Sequence, residues 1–157
     1  MATIEKAVEI AARAHAGTKD KNGMPYLLHP LRVMMGVEGE AAQIVAVLHD
    51  VVEDTPITLD EIRAEGFRDE IVEALALVTH ESDQSYSEYV IALKSNPIAR
   101  QVKLSDLRDN STLARVMLRP HKIDRDTARI QRYVLSYQYL TDIITEDEYR
   151  KLMSDRE

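Results

Sequence analysis

The chain has 157 residues, 45% hydrophobic and 30% charged, with five glycines and five prolines; this is the composition of one folded domain and excludes a disordered one. It contains no cysteine, which excludes a disulfide framework or a thiolate metal site, so any metal must be held by His, Asp and Glu. The net charge of −7 argues against a nucleic-acid-binding face, and neither a signal-peptide core nor a membrane-length apolar run is present, so the expectation is a cytoplasmic protein with a small-molecule partner.

From Thr3 to about Ala16, Ile4, Ala7, Val8, Ala11 and Ala14 recur at helical spacing, with Glu5, Lys6, Glu9 and Arg13 opposite. His15 near the end of this helix suits a capping or packing role. Gly17 to Tyr26 is a loop by its Asn22-Gly23 turn and Pro25. Its lysines and Tyr26 suit either a phosphate and base site or a solvated surface. Pro30 is placed to start the next helix, with His29 just before it, a plausible ligand or a structural histidine.

A helix from Glu40 to Glu53, stopped by Thr55-Pro56, is the centre of the chain. Ile44, Val47, Leu48, Val51 and Val52 mark it as buried, yet it carries His49, Asp50, Glu53 and Asp54. Residues four apart share a face, so His49 lies below Glu53 and Asp50 below Asp54. Buried charge of that density is costly unless it is paired or metal-bound. The pattern suits a first-row divalent ion beside acids placed for proton transfer; the alternative is a satisfied core His-Asp hydrogen bond.

Thr58 to Glu61 is a capping box opening a short helix that Gly66 ends, and Arg68 to Thr79 is a core helix. His80, Glu81 and Asp83 read as an acidic surface loop. Ser85 to Glu88 is a second capping box, with Tyr86, Tyr89, Val90 and Leu93 as the stripe of its helix. Asn96-Pro97 starts a longer helix, in which Leu104, Leu107, Ala114 and Leu118 form one face and Val102, Asp106, Asn110 and Leu113 a neighbouring one. Asp106 and Asn110 are thereby expected to face inward. A helix from Asp124 to Asp142 carries Ile130, Tyr133, Val134, Tyr137 and Leu140 at core spacing; Arg125, Arg129 and Arg132 have the reach for a phosphate, with a solvated face as the first expectation. Thr145 to Glu148 caps a last short helix. There is no clear strand, so the expected fold is an all-α, single-domain helical bundle.

Four stretches, His15-Ala16-Gly17, Gly23 to Pro30, Leu48 to Thr55, and Val102 to Asp106 with Asn110, together resemble the HD superfamily of metal-dependent phosphohydrolases. More narrowly, they are similar to the hydrolase domain of the RelA/SpoT homologues and to small alarmone hydrolases. The resemblance implies that His29, His49, Asp50 and Asp106 bind one divalent ion, typically manganese, and that Glu53 and Asp54 are the catalytic acidic pair. It implies that Lys21, Tyr26 and Asn110 line the nucleotide pocket, and that the reaction removes the 3′-diphosphate of guanosine tetra- or pentaphosphate. Asp20 departs from it, standing where the family has a base-packing arginine; Met24 and Asp109 also depart. Asp20 keeps two alternatives open, a phosphohydrolase of another nucleotide and a catalytically silent nucleotide-binding regulator. From the length no synthetase domain is expected, and Tyr and Met on the expected helix faces suit packing or a homo-oligomer interface equally.

Overall fold

The computed structural model describes residues 1–156. Its helices are α1 (Ile4–Ala14), α2 (Leu28–Met35), α3 (Glu40–Asp54), α4 (Leu59–Ala64), α5 (Asp69–Val78), α6 (Tyr86–Leu93), α7 (Pro97–Asn110), α8 (Ile123–Leu140) and α9 (Glu146–Met153), with a 3-10 turn at Pro120–Lys122 before α8. Among the described residues the only β pairing is an isolated bridge between Lys19 and Pro25. The fold is all-α, as its sequence periodicity predicts.

Helix α3 occupies the centre, with Ile44 to His49 and Val51 all buried. Helices α1, α2, α5 and α7 pack around it, α6 and α8 pack against α5 and α7, and α9 closes on α6 and α8. One continuous core results, running from Ala7 and Ile10 through Leu48, Leu75 and Leu107 to Leu140 and Tyr149. Burial of such side chains contributes roughly 1.5–3 kcal/mol each, which is why a helix with a polar C-terminal turn still sits at the centre.

Local chemistry sets the helix ends. Asn96 accepts hydrogen bonds from Ile98 N and Ala99 N at 3.0 Å each, with Pro97 in the first turn of α7. Thr58 and Thr145 form complete capping boxes with Glu61 and Glu148. The box expected at Ser85 is half formed. Ser85 accepts from Glu88 N at 3.3 Å, but the Glu88 carboxylate pairs with Arg150 of α9 instead of reaching back.

Two boundaries depart from expectation. Helix α2 begins at Leu28, so His29 and Pro30 both lie in its first turn; proline is tolerated there because first-turn N–H groups have no intrahelical acceptor. Helix α7 stops at Asn110 and does not continue toward Leu118, so Leu113 and Leu118 are exposed. Thr112 Oγ1 donates to Asp109 O at 3.0 Å, a local bond that competes with helix continuation. On α8 the buried positions are Asp126, Ser136, Tyr139 and Leu140, while Val134 is exposed, because Tyr139 stacks on Tyr149 of α9.

Candidate active site

The polar residues of α2, α3 and α7 converge where these helices meet. His29 comes from the first turn of α2, His49 and Asp50 from the third turn of α3, and Asp106 from the C-terminal half of α7. Their donor atoms are close together. His49 Nε2 lies 3.2 Å from Asp50 Oδ1 and 3.8 Å from Asp106 Oδ1, and His29 Nε2 lies 3.5 Å from Asp50 Oδ2 and 3.3 Å from Asp106 Oδ1. His29, His49 and Asp106 are buried and Asp50 is half-buried.

Outer groups fix each of these side chains. His49 Nδ1 donates to Ala46 O at 2.7 Å, which leaves Nε2 directed at the cluster, buried and without a hydrogen-bond partner. His29 Nδ1 donates to Asp109 Oδ2 at 2.6 Å, and Asp109 is itself held by Arg32 at 2.6 and 3.1 Å. Tyr26 donates to Asp50 Oδ2 at 2.6 Å, and Asp106 accepts from Lys103 Nζ at 2.8 Å and Asn110 Nδ2 at 2.6 Å. Imidazoles anchored through one nitrogen, with the other aimed at carboxylates, are the pattern of metal-binding histidines.

The electrostatics agree. Burial disfavours a charged His49, but the Asp50 and Asp106 carboxylates outweigh it and push its pKa up to about 9. His29 follows in direction, burial opposing and Asp106 and Asp109 prevailing. Burial likewise opposes ionisation of Asp106, yet Lys103 and both histidines hold it well below the usual carboxylate range. Carboxylates that draw protons onto two imidazoles equally favour a divalent cation there, which competes with those protons. His29, His49 and Asp50 each offer a ligand atom, all within 4.8 Å of one another, so the donor set fits one divalent ion.

The cluster forms one wall of a cavity of about 440 Å³. Glu53 lines it and accepts from His80 N at 3.0 Å; burial raises its pKa, partly offset by that bond. The other walls carry Lys21, Tyr86, Arg115, Arg129 and Tyr133. Lys21 makes no ion pair or hydrogen bond with any described residue, and burial together with the neighbouring Arg129, Arg119 and Arg115 lowers its pKa.

A family model described as "HD domain" matches residues 7–110. The chain belongs to the HD domain family. Its HD domain match spans α1 to α7 and includes all four clustered residues, whereas Arg115 and Arg129 lie beyond it. The chain is 34% identical over 120 residues to a guanosine-3′,5′-bis(diphosphate) 3′-pyrophosphohydrolase of Aquifex aeolicus, covering 68% of this chain and 17% of that protein. It is 32% identical over 143 residues to a GTP pyrophosphokinase of Streptomyces coelicolor, covering 81% of this chain and 17% of that one. The chain thus spans about a sixth of these bacterial relatives. With human guanosine-3′,5′-bis(diphosphate) 3′-pyrophosphohydrolase MESH1 it shares 35% identity over 119 residues, 67% of this chain and 65% of the human one. A solved structure of a metazoan ortholog of SpoT superposes with a TM-score of 0.66 at 20% identity, over 99% of this chain and 96% of that one, so the two share a fold.

The fold places the expected site residues unequally. His29, His49, Asp50 and Asp106 come together, and Lys21, Tyr26, Asn110 and Glu53 line the cavity. Tyr26, however, spends its hydroxyl on Asp50 and, at 3.3 Å, on Asp54. Asn110 is engaged by Asp106 and by Arg115 Nη2 at 3.3 Å. Asp54 accepts from Tyr26 and, unlike Glu53, does not line the cavity. His15 is buried against the Tyr26 ring, a packing role. Two expectations fail. Arg129 lines the cavity instead of lying on a solvated face, and His80 belongs to the cavity wall instead of a surface loop. The sequence reading missed Lys103, Asp109 and Arg115 as site residues; spacing from Asp106 marks the first two, at i−3 and i+3, but nothing local marks Arg115.

Proposed function

We propose that this protein is a metal-dependent 3′-pyrophosphohydrolase of guanosine 3′,5′-bis(diphosphate) and its pentaphosphate analogue. The observation that carries the reading is the unpartnered, buried His49 Nε2 among His29, Asp50 and Asp106, at one wall of a cavity that Lys21, Arg115 and Arg129 also line. In this reading those four residues hold one divalent ion, manganese by preference. Such an ion supplies Lewis acidity toward a phosphoryl oxygen and lowers the pKa of water. The relatives' names support hydrolysis, above all the human one, since this chain spans most of its length and it bears the hydrolase name alone.

The residues of the chain then have separate tasks. Glu53, its pKa raised by burial, accepts the proton of the attacking water. Tyr26 and Asp109 orient Asp50 and His29, while Asp54 steadies Tyr26. Lys21, a cation with no carboxylate partner, receives a phosphate. Asp20, on the cavity wall where an arginine is expected, favours a second reading, a phosphohydrolase of another nucleotide.

The test is pyrophosphate and phosphate release from a nucleotide panel with added manganese, using the wild type, Asp106→Ala and Glu53→Gln. The expected outcome is pyrophosphate from the guanosine alarmones alone. Asp106→Ala is expected to lose both activity and manganese binding, and Glu53→Gln to lose at least roughly a hundredfold in turnover while keeping the metal, as removal of a proton acceptor does. Cleavage of other nucleotides only would select the second reading.

A further inference from the structure

Arg115 lies in the turn after α7, yet two of its nitrogens hydrogen-bond to separate parts of the fold, and a third lies near a carboxylate without a hydrogen bond to it. Nη1 meets Asp20 Oδ2 at 3.2 Å, Nη2 meets Asn110 Oδ1 at 3.3 Å, and Nε lies 3.1 Å from Asp109 Oδ2. Asp20 is equally committed. Its Oδ1 accepts from Asn22 N at 2.9 Å and Met24 N at 3.0 Å, closing the 18–25 loop on itself, and Asn22 Nδ2 donates to Ala114 O at 3.1 Å. Burial opposes ionisation of Asp20, but these N–H groups and Arg115 prevail and keep it charged. The loop and the turn are therefore latched together, and the guanidinium is held rigidly at the cavity wall.

A guanidinium can serve a nucleotide by charge or by its flat face. The charge of Arg115 is already answered by two carboxylates, and both of its terminal nitrogens donate to protein acceptors. Lys21, on the same cavity, has no such partner and is the better cation for phosphate. Arg115 lines the cavity together with Val116, Ile130 and Tyr133, and its flat face is the part of it not committed to those bonds. Planar cations stack on aromatic rings, and a nucleobase is such a ring.

We propose that Arg115 is the specificity-determining residue of this pocket, stacking its guanidinium plane on a purine base, and that Asp20 is a positioning residue that holds it there. This rests on the nucleotide reading above. Asp20 then does not repel substrate, because its carboxylate is consumed by the latch.

The test is isothermal titration of adenosine, guanosine and cytidine 3′,5′-bisphosphates, which share ribose and phosphates and differ only in the base, into wild type, Arg115→Ala, Arg115→Lys, Asp20→Asn and Lys21→Ala. Wild type is expected to bind the purine compounds more tightly than the cytidine one. Arg115→Ala is expected to weaken purine binding by roughly tenfold or more, in keeping with a lost base stack, and to bring the purine-to-pyrimidine ratio toward one. Arg115→Lys, which keeps charge without the plane, is expected not to restore that ratio. Asp20→Asn is expected to act in the same direction, and adding it to Arg115→Ala to change nothing more. Lys21→Ala is expected to weaken all three compounds alike. Equal weakening of all three by Arg115→Ala, restored by Arg115→Lys, would make Arg115 a phosphate contact and overturn the proposal. A wild type that binds none of the three overturns the nucleotide reading and this assignment with it, whereas binding with an unaltered ratio in Arg115→Ala overturns this assignment alone.

Discussion

Lys103 is a buried ammonium whose closest partner is Asp106, at 2.8 Å, with the rings of Tyr89 and Tyr86 at 5.2 and 5.6 Å from its nitrogen. Burial alone would strip its proton, yet the Asp106 carboxylate holds its pKa well above the ordinary lysine value. Removing one member of a buried pair costs about 3–5 kcal/mol because the other charge is left uncompensated. Lys103→Met is therefore expected to lower the stability of the metal-free protein by about that amount. A divalent ion beside Asp106 replaces the missing charge and no longer meets a neighbouring ammonium. The rise in Tm on adding manganese should thus be larger in Lys103→Met than in wild type, as ligand linkage requires; an equal or smaller rise in differential scanning calorimetry would show that Lys103 does not compensate Asp106. The four clustered residues were legible because a histidine, a His-Asp pair and a distant aspartate stand on strongly patterned helices. Asp109 and Lys103 were legible in principle from their spacing to Asp106. Arg115 was not, because its position depends on the 18–25 loop, far away in sequence.

Helix α7 comes close to the C-terminal end of α2 at Gly36 and Ser105, one residue before Asp106. The Ser105 hydroxyl donates to Val33 O at 2.8 Å and fills the space where a side chain on Gly36 would begin. Gly36→Ala must therefore displace that hydroxyl or push α7 outward, an overpacking cost of about 1–3 kcal/mol. The displacement also moves Asp106 relative to His29, so manganese binding is expected to weaken together with stability. Without the hydroxyl, the nearest atoms to the new methyl are at 3.4 Å, a tolerable contact. Gly36→Ala with Ser105→Ala is accordingly expected to recover part of the metal affinity lost in Gly36→Ala alone. Manganese titration of both variants checks this, and a double variant no better than the single one would place the cost elsewhere. Most helices were legible at this scale, since caps at Thr58, Asn96 and Thr145 and the apolar period of α3 and α5 are local signals. The end of α7 and the half-formed Ser85 box were not. Arg115 folding back onto Asp20 and Arg150 claiming Glu88 are tertiary contacts that override local propensity.

For the whole molecule, the net charge of −7 does not describe the cavity, where Lys19, Lys21, Lys103, Arg115 and Arg129 stand with Asp20, Asp50, Glu53 and Asp106. Composition had no means of showing this local balance, because the fold alone brings those positions together. The same long-range assembly decides whether the C-terminal helix belongs to the cooperative structure. Tyr149 of α9 is wholly buried, its hydroxyl 2.8 Å from Ser136 Oγ and its ring stacked on Tyr139 with centroids 4.7 Å apart and planes 5° from parallel. Met153 is buried beside it, and Arg132 of α8 donates to Arg156 O at 2.8 Å. Truncating a buried aromatic to alanine costs about 3–5 kcal/mol, a large share of the roughly 5–15 kcal/mol by which domains are stable. If α9 is part of the single core, Tyr149→Ala should lower the urea midpoint followed by far-UV circular dichroism and by manganese binding alike, since losing α9 uncovers α6 and α8, which form the wall of Tyr86, Arg129 and Tyr133. Tyr149→Phe keeps the stack and loses the hydroxyl bond to Ser136, so its cost should be about 0.5–1.5 kcal/mol, rising if Ser136 is left unsatisfied. A Tyr149→Ala protein that loses a little helicity but keeps its midpoint and its metal would instead make α9 an appendage that frays on its own, and would confine the cooperative core to α1 through α8.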